Sequence, residues 1–316
     1  MTVRSKVSII GAGAVGTSLA YALLIRRIAG EVALYDVNEA KVRAEVLDLA
    51  HGSQFFSPSS VYGGDDLEVV RNSNVVVITA GAKQNPGQSR LDLAATNVGI
   101  LHDLMPKLVR LAPDAIYVLV TNPCDVLAYA AVKFSGLPSN RVFSSGTVLD
   151  SSRLRWQLAE RTGISTDSVH ALIIGEHGDS EFPLWSQAKI GPVPLLDWKI
   201  NGMSPLTQDE LDTIAADVKN AAYQVIEGKG ATNYAIGLSG ARIVETILRD
   251  EQAILPVSSV LHNYLGITDV ALSVPTVVNA QGASRVLELD ITAEELAKLT
   301  KSAETLSQSL QTLGLK

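Results

Sequence analysis

The chain has 316 residues, 47% of them hydrophobic, enough to build a large core in two domains or one large one. A net charge of −7, with no basic run longer than a pair, excludes a nucleic-acid footprint. No apolar stretch approaches the roughly 18 residues of a membrane span. The single Cys124 excludes an internal disulfide and a thiolate metal cluster, and points to a cytoplasmic protein.

The first predicted element, KVSII (6–10), reads as a core strand and not as the apolar part of a leader. Its run ends within a few residues at glycines, and the helix beyond carries Arg26 and Arg27. Between strand and helix (15–28) stands Gly11-Ala12-Gly13-Ala14-Val15-Gly16. A second strand, EVALYD (31–36), ends on Asp36, 20 residues after Gly16. That is the spacing of a dinucleotide site. Gly11 makes the tight turn, Gly13 admits a pyrophosphate against the backbone, and Gly16 lets helix and strand approach. The helix N-terminus faces the phosphates. Asp36 accepts from a ribose diol and repels a 2′-phosphate, which favours NAD over NADP.

Helix (38–48), strand (74–80), helix (91–110), strand (115–121), helix (124–134) and strand (141–146) follow in alternation. The alternation predicts a parallel sheet with crossover helices, and the unbroken Val/Ile/Leu runs predict strands covered on both faces. Residues 1–145 are thus expected to form an α/β, Rossmann-type doubly wound domain. From 146 the pattern changes to helices at 151–162, 206–227 and 239–250, strands at 187–200, 252–260 and 268–278, and a charged amphipathic tail helix from 292. Residues 146–316 are expected to form an α+β substrate domain.

Four polar stretches interrupt or follow these apolar runs: AGAKQNPGQSRLDL (80–93), VTNPCD (120–125), GTVLDSSRLR (146–155) and IIGEHGDSE (173–181). With the glycine fingerprint, this ordered set resembles the lactate/malate dehydrogenase family over essentially the whole chain. The resemblance implies hydride transfer between NAD and a 2-hydroxy acid. The expected cofactor set is Gly11, Gly13, Ala14, Val15, Gly16, Asp36, Thr79, Gly81 and Asn122.

His177 resembles the family's proton donor and acceptor, an imidazole whose ordinary pKa serves both directions. Asp150 resembles the carboxylate that orients it; the competing reading is a helix N-cap, since DSSR opens a helical run. Arg153 resembles the bidentate clamp on the substrate carboxylate. Arg90 resembles the arginine that polarises the substrate carbonyl from a loop that folds over the site and expels water. Asn122 resembles the neutral partner near the carbonyl and nicotinamide, and Pro123 invites a cis peptide. The glycines around His177 are expected to let cofactor and substrate pack closely. The five histidines show no metal-binding spacing, so no metal is expected.

Substrate choice is expected to turn on Gln84. Malate-specific relatives usually carry an arginine there, and a closed pocket with a neutral Gln84 leaves oxaloacetate's second carboxylate buried and unpaired. Thr232 resembles the small polar residue at the methyl end of lactate-specific pockets. The expected substrate pair is therefore pyruvate and L-lactate, with malate or another 2-hydroxy acid as the alternative. A nucleotide-binding sensor or structural protein is the non-enzymatic alternative; it predicts loss of His177, Asp150, Arg153 or Arg90, and all four are present. Arg153 and Arg155 stand about 200° apart around a helix, so Arg155 faces away from the site. With His170 it resembles the phosphate-binding pair of bacterial lactate dehydrogenases activated by fructose 1,6-bisphosphate. The family resemblance also implies a homotetramer.

Overall fold

The computed structural model describes residues 5–56, 59–82, 90–202 and 206–316. Its first half runs β1 (Lys6–Ile10), α1 (Ala14–Ile25), β2 (Glu31–Tyr35), α2 (Glu39–His51), β3 (Ser60–Gly64), β4 (Val75–Ile78), α3 (Arg90–Leu111), β5 (Ile116–Leu119), α4 (Cys124–Ser135) and β6 (Val142–Ser144). These six strands are parallel in the order β6-β5-β4-β1-β2-β3. The order reverses between β1 and β4, and at such a switch point the strand ends leave a crevice for a ligand. The expected α/β doubly wound architecture is present. Strand β4 and strand β5 are wholly buried, as their apolar runs require.

Strand β3 has no counterpart among the expected elements. Its sequence, SVYGG, ends in two glycines and lacks the apolar run of its neighbours. It is held by full parallel pairing with β2 from Glu31–Ser60 to Tyr35–Gly64.

The second half contains α5 (Val148–Thr162), β7 (Val169–His170), β8 (Ile173–Ile174), β9 (Phe182–Pro183), β10 (Lys189–Ile190), β11 (Val193–Pro194), α6 (Gln208–Lys229), α7 (Tyr234–Leu248), β12 (Ala253–Leu255), β13 (Ser258–Val260), β14 (Ala271–Ser273), β15 (Thr276–Asn279), β16 (Gly282–Val286) and α8 (Ala293–Thr312). Prolines explain where this differs from expectation. The predicted strand 187–200 is only the short pair β10 and β11, broken by Gly191 and Pro192. Pro256 splits 252–260 into β12 and β13, and Pro275 splits 268–278 into β14 and β15. The pieces go to different sheets. Antiparallel β13 and β14 extend the large sheet beyond β6, whereas β12, β15 and β16 form a separate three-stranded sheet.

Two helices from different halves of the chain cross closely. A Cβ on Gly237 of α7 would lie 2.9 Å from Ser18 Cβ of α1, so only glycine allows this approach. Asn233 Nδ2, just before α7, donates to Ser18 Oγ at 2.9 Å. At the other end of the crossing, buried Glu245 pairs with Arg26, the residue that caps α1, and with Arg242 and Arg249 of its own segment. Glu245→Ala should lower the free energy of unfolding by about 1–2 kcal/mol; the buried-pair value is reduced because the arginines remain partly solvated. Urea denaturation of the two proteins measures it.

Candidate active site

The glycine loop is built as the fingerprint requires. Gly11 has φ +104°, and a Cβ there would lie 2.7 Å from the Ala80 nitrogen; a Cβ on Gly16 would lie 2.0 Å from the Gly11 carbonyl oxygen. Gly13 differs, because its nearest neighbour would be Lys41 Nζ at 4.0 Å. That open space beside Gly13, at the N-terminus of α1, fits a pyrophosphate against the backbone. Asp36 accepts from the Ala12 N–H at 2.8 Å and the Asn38 N–H at 3.0 Å, and has lone pairs left for a diol.

Thr79 is turned to the backbone. Its hydroxyl donates to the Gly11 carbonyl at 2.9 Å, so it shapes the glycine turn. Gly81 packs against Thr121, whose Cγ2 would lie 2.3 Å from an added Cβ. Asn97, which carried no signal in the sequence, links two loops: its Oδ1 accepts from the Ala82 N–H at 2.7 Å and its Nδ2 donates to the Asn122 carbonyl at 2.8 Å. The Asn122–Pro123 peptide is cis, and Asn122 is exposed at the strand end. Thr232 lies in the connection before α7, partly buried. Gln84 and the Arg90 side chain lie outside the described residues; the Arg90 backbone opens α3.

Asp150 sits in the first turn of α5, not at its cap; Thr147 is the N-cap residue. The side chain is 1% exposed and divides its oxygens. Oδ2 meets His177 Nδ1 at 2.7 Å, and Oδ1 accepts from Arg153 Nη1 at 2.6 Å. Arg153, expected as a substrate clamp, therefore has one nitrogen engaged within the protein. Helix α5 is fixed to β8 beneath this pair by Thr147 Oγ1 donating to the Ile173 carbonyl at 2.6 Å and by the Ile173 N–H donating to Ser151 Oγ at 2.9 Å.

The segment bearing His177 is anchored three times. Gly175 exchanges backbone hydrogen bonds with Ser273 of β14 at 2.9 and 3.0 Å. The Glu176 N–H donates to Ser302 Oγ of α8 at 2.7 Å, and the His177 N–H donates to Asp125 Oδ2 of α4 at 2.7 Å. Gly175 has φ +97°, and a Cβ there would crowd Ser302 Oγ at 3.0 Å. The glycine before His177 thus has a backbone reason, distinct from the expected close packing of ligands.

Two carboxyls in this cluster escaped sequence reading. Asp125 is the last letter of VTNPCD and lies in the first turn of α4. Burial pushes its pKa to about 6, with His177 acting in the opposite direction. Glu181 lies four residues past His177, 5% exposed, with Oε2 3.9 Å from His177 Nδ1. Burial, reinforced by the Asp150 charge, pushes it to about 8, against the pull of His177, Arg153 and Lys219. For Asp150, burial acts upward, but His177 and Arg153 outweigh it and hold the carboxyl below its ordinary range. For His177, burial acts downward; the charge and hydrogen bond of Asp150, with Glu181 and Asp125, raise it to about 9.

These shifts fix the sign of a pH effect. His177 and Glu181 both hold protons in the folded state at pH values where the unfolded chain has released them, between 6.5 and about 9 and between 4.5 and about 8 respectively. Their contribution is therefore complete at acidic pH and is lost as pH rises through those windows. The urea midpoint of the protein without ligands should fall from pH 6.5 to 9. In His177→Asn the decline should be shallower, each proton being worth at most about 1.4 kcal/mol per pH unit.

Arg155 and His170 lie outside this cluster. Arg155 Nε donates at 3.0 Å to the carbonyl of Ala171, the residue next to His170, and burial lowers the Arg155 pKa. His170 is exposed on β7 directly opposite Lys189 of β10.

Residues 5–144 match the lactate/malate dehydrogenase NAD binding domain, and residues 147–314 match the lactate/malate dehydrogenase alpha/beta C-terminal domain. The chain is 51% identical to an L-lactate dehydrogenase of Bifidobacterium animalis subsp. lactis, covering 98% of this chain and 97% of that one. It is 44% identical to an L-lactate dehydrogenase of a Thermoanaerobacter species, covering 98% and 100%. In three dimensions it superposes with a TM-score of 0.95 on the ligand-bound minor L-lactate dehydrogenase of Enterococcus mundtii, 40% identical with 99% of both chains covered. The chain belongs to the lactate/malate dehydrogenase family of NAD-dependent oxidoreductases, with NAD as its cofactor.

Proposed function

We propose that the chain is an L-lactate dehydrogenase that reduces pyruvate reversibly with NADH. The observation that carries the chemistry is the 2.7 Å contact between His177 Nδ1 and Asp150 Oδ2. It commits one ring nitrogen to a buried carboxylate and leaves Nε2 to exchange the proton. NADH, when bound along Gly11, Gly13, Ala14, Val15, Gly16 and Asp36, supplies the hydride. His177 gives its proton to the oxygen that was the ketone and recovers one in the reverse direction. With its pKa raised to about 9, the imidazole is charged at neutral pH and ready for reduction. Asp150 keeps the proton on Nδ1 and balances the imidazolium. Arg153 has further guanidinium donors besides the Nη1 held by Asp150, enough to orient a substrate carboxylate. By the family resemblance, Arg90 would polarise the carbonyl, Asn122 would offer its amide to the carbonyl and nicotinamide, and Thr232 would line the methyl end.

Gln84 supports pyruvate over oxaloacetate, because a neutral amide leaves a second carboxylate unpaired in the closed pocket. Pyruvate should be preferred by about a hundredfold or more in kcat/KM, and Gln84→Arg should narrow or reverse the ratio. NADH oxidation with both substrates measures this. A wild-type preference for oxaloacetate makes the chain a malate dehydrogenase instead.

Regulation by fructose 1,6-bisphosphate and a homotetrameric, cytoplasmic enzyme complete the reading. Half-buried Arg155, exposed His170 and the facing Lys189 offer nitrogen donors, two of them cationic, away from the His177 cluster. Large apolar side chains exposed on α1, α5 and α7 (Tyr21, Ile25, Trp156, Tyr234 and Leu238) are surfaces suited to subunit contacts. Among the described residues no helix is long and apolar enough to cross a membrane. Anion binding between subunits would relieve repulsion among these cations and favour the active arrangement. Fructose 1,6-bisphosphate should lower the pyruvate concentration for half-maximal rate by about tenfold, and Arg155→Gln should abolish the response. Kinetics of dilute enzyme at neutral pH that ignore the effector refute the regulatory site.

A further inference from the structure

We propose that Glu181 is a second carboxyl partner of His177, a positioning residue that acts through the imidazole and sets the pH range over which it exchanges its proton. The inference rests on the reading of His177 as the proton-exchanging group.

The geometry brings Glu181 to the same nitrogen that Asp150 holds. Its Oε2 lies 3.9 Å from His177 Nδ1, beyond hydrogen-bond reach but within strong Coulomb range in a water-poor pocket. The turn that returns the chain is closed by the Glu181 N–H donating to the Gly178 carbonyl at 3.3 Å. The side chain is 5% exposed, so solvent screens little of the interaction. One polar atom from each of Asp150, His177 and Glu181 falls within 4.8 Å of the other two. Two carboxylates that close repel unless a cation stands between them, and the imidazolium is that cation. Charge on Glu181 therefore favours the protonated ring, and a neutral ring favours an uncharged Glu181.

Among the described residues, the surrounding charges come from α4, α5, α6 and the segment that carries His177. Glu181 faces Asp150 and Arg153 of α5, Lys219 of α6 and His177 itself. His177 faces Asp150, Glu181 and Asp125 of α4, and Asp125 in turn feels Glu176. Arg153 is paired with Asp150, and Lys219 Nζ donates to the Asp179 carbonyl. Glu181 thus acts on the ring by charge and not by a hydrogen bond; Asp125 also acts by charge, but its Oδ2 is taken by the His177 backbone N–H, whereas Glu181 Oε2 lies 3.9 Å from the ring Nδ1. Burial and the Asp150 charge favour its neutral form up to about pH 8, close to the value at which the ring releases its proton.

The test is the titration of the ring itself, followed by NMR of ¹⁵N-imidazole-labelled protein without cofactor or substrate. The His177 signals are assigned by their loss in His177→Asn. Glu181→Gln removes the charge and keeps the shape, and should lower the His177 midpoint by about one pH unit. Glu181→Asp, which withdraws the carboxyl by one methylene, should lower it by less. If the glutamine variant does not fold, the aspartate variant alone decides. A midpoint that stays within about 0.3 units of wild type, or rises, overturns the inference. A residue with only a structural role would change stability or rate without moving this midpoint. In turnover, the alkaline limb of pyruvate reduction should move downward with the midpoint, and a stationary limb overturns the inference. A protein that titrates as expected yet reduces no pyruvate refutes the proposed function and leaves the Glu181–His177 coupling standing.

Discussion

The site depends on one buried carboxylate shared between two cations. Asp150 is nearly sealed from water, and a lone charge in such a place would protonate to avoid the loss of hydration. Two partners prevent this, each meeting a different oxygen: the ring of His177 and the guanidinium of Arg153. The arrangement also fixes both cations. His177 cannot rotate its Nδ1 away without leaving Asp150 half-satisfied, and Arg153 is held on the same edge of α5. Orientation of the His177 ring and placement of the Arg153 guanidinium are therefore one structural problem with one solution. Removing the carboxylate would disturb both together.

Holding a loop residue to this tolerance needs more than its partner. The segment 175–177 makes backbone contacts with β14, α4 and α8, elements far apart in sequence. Each contact uses an N–H that the loop would otherwise leave without a partner. The imidazole is thereby referred to the large sheet, to the helix after β5 and to the C-terminal helix at once. The cofactor loops are fixed in a similar way by Asn97, Thr79 and Thr121, whose side chains bond neighbouring backbone. Rigid placement comes largely from residues with no chemistry of their own.

This division explains what the sequence could reveal. Strands β1, β2, β4, β5 and β6 were legible because burial on both faces leaves unbroken apolar runs. The glycine turn was legible because only glycine tolerates the contacts at positions 11 and 16. His177, Asp150, Arg153 and Arg90 were legible through the ordered polar stretches that resemble the lactate/malate dehydrogenase family, and not from their local composition alone. Strand β3 did not, since its pairing with β2 and not its own composition makes it a strand. Asp125 and Glu181 resemble ordinary polar residues until long-range folding buries them beside the ring. Asn97 sits mid-helix with no local pattern, and its role exists only where two loops converge. The prolines at 256 and 275 fall inside runs read as single strands, and nothing local said that the fragments on either side join different sheets.

That exchange of fragments has a consequence for the chain's modularity. The large sheet does not end where the alternating first half ends: β13 lies against β6 through the Ser258–Ser144 pair, and β14 lies against β13. A chain cut after residue 145 would leave β6 as a raw edge, with unpaired backbone groups and the buried valine and phenylalanine of Val142-Phe143 newly close to solvent. The sheet of the nucleotide-binding half is therefore completed by strands of the same chain made more than a hundred residues later. During synthesis it would emerge with a sticky seam, closed only when the last third of the polypeptide arrives.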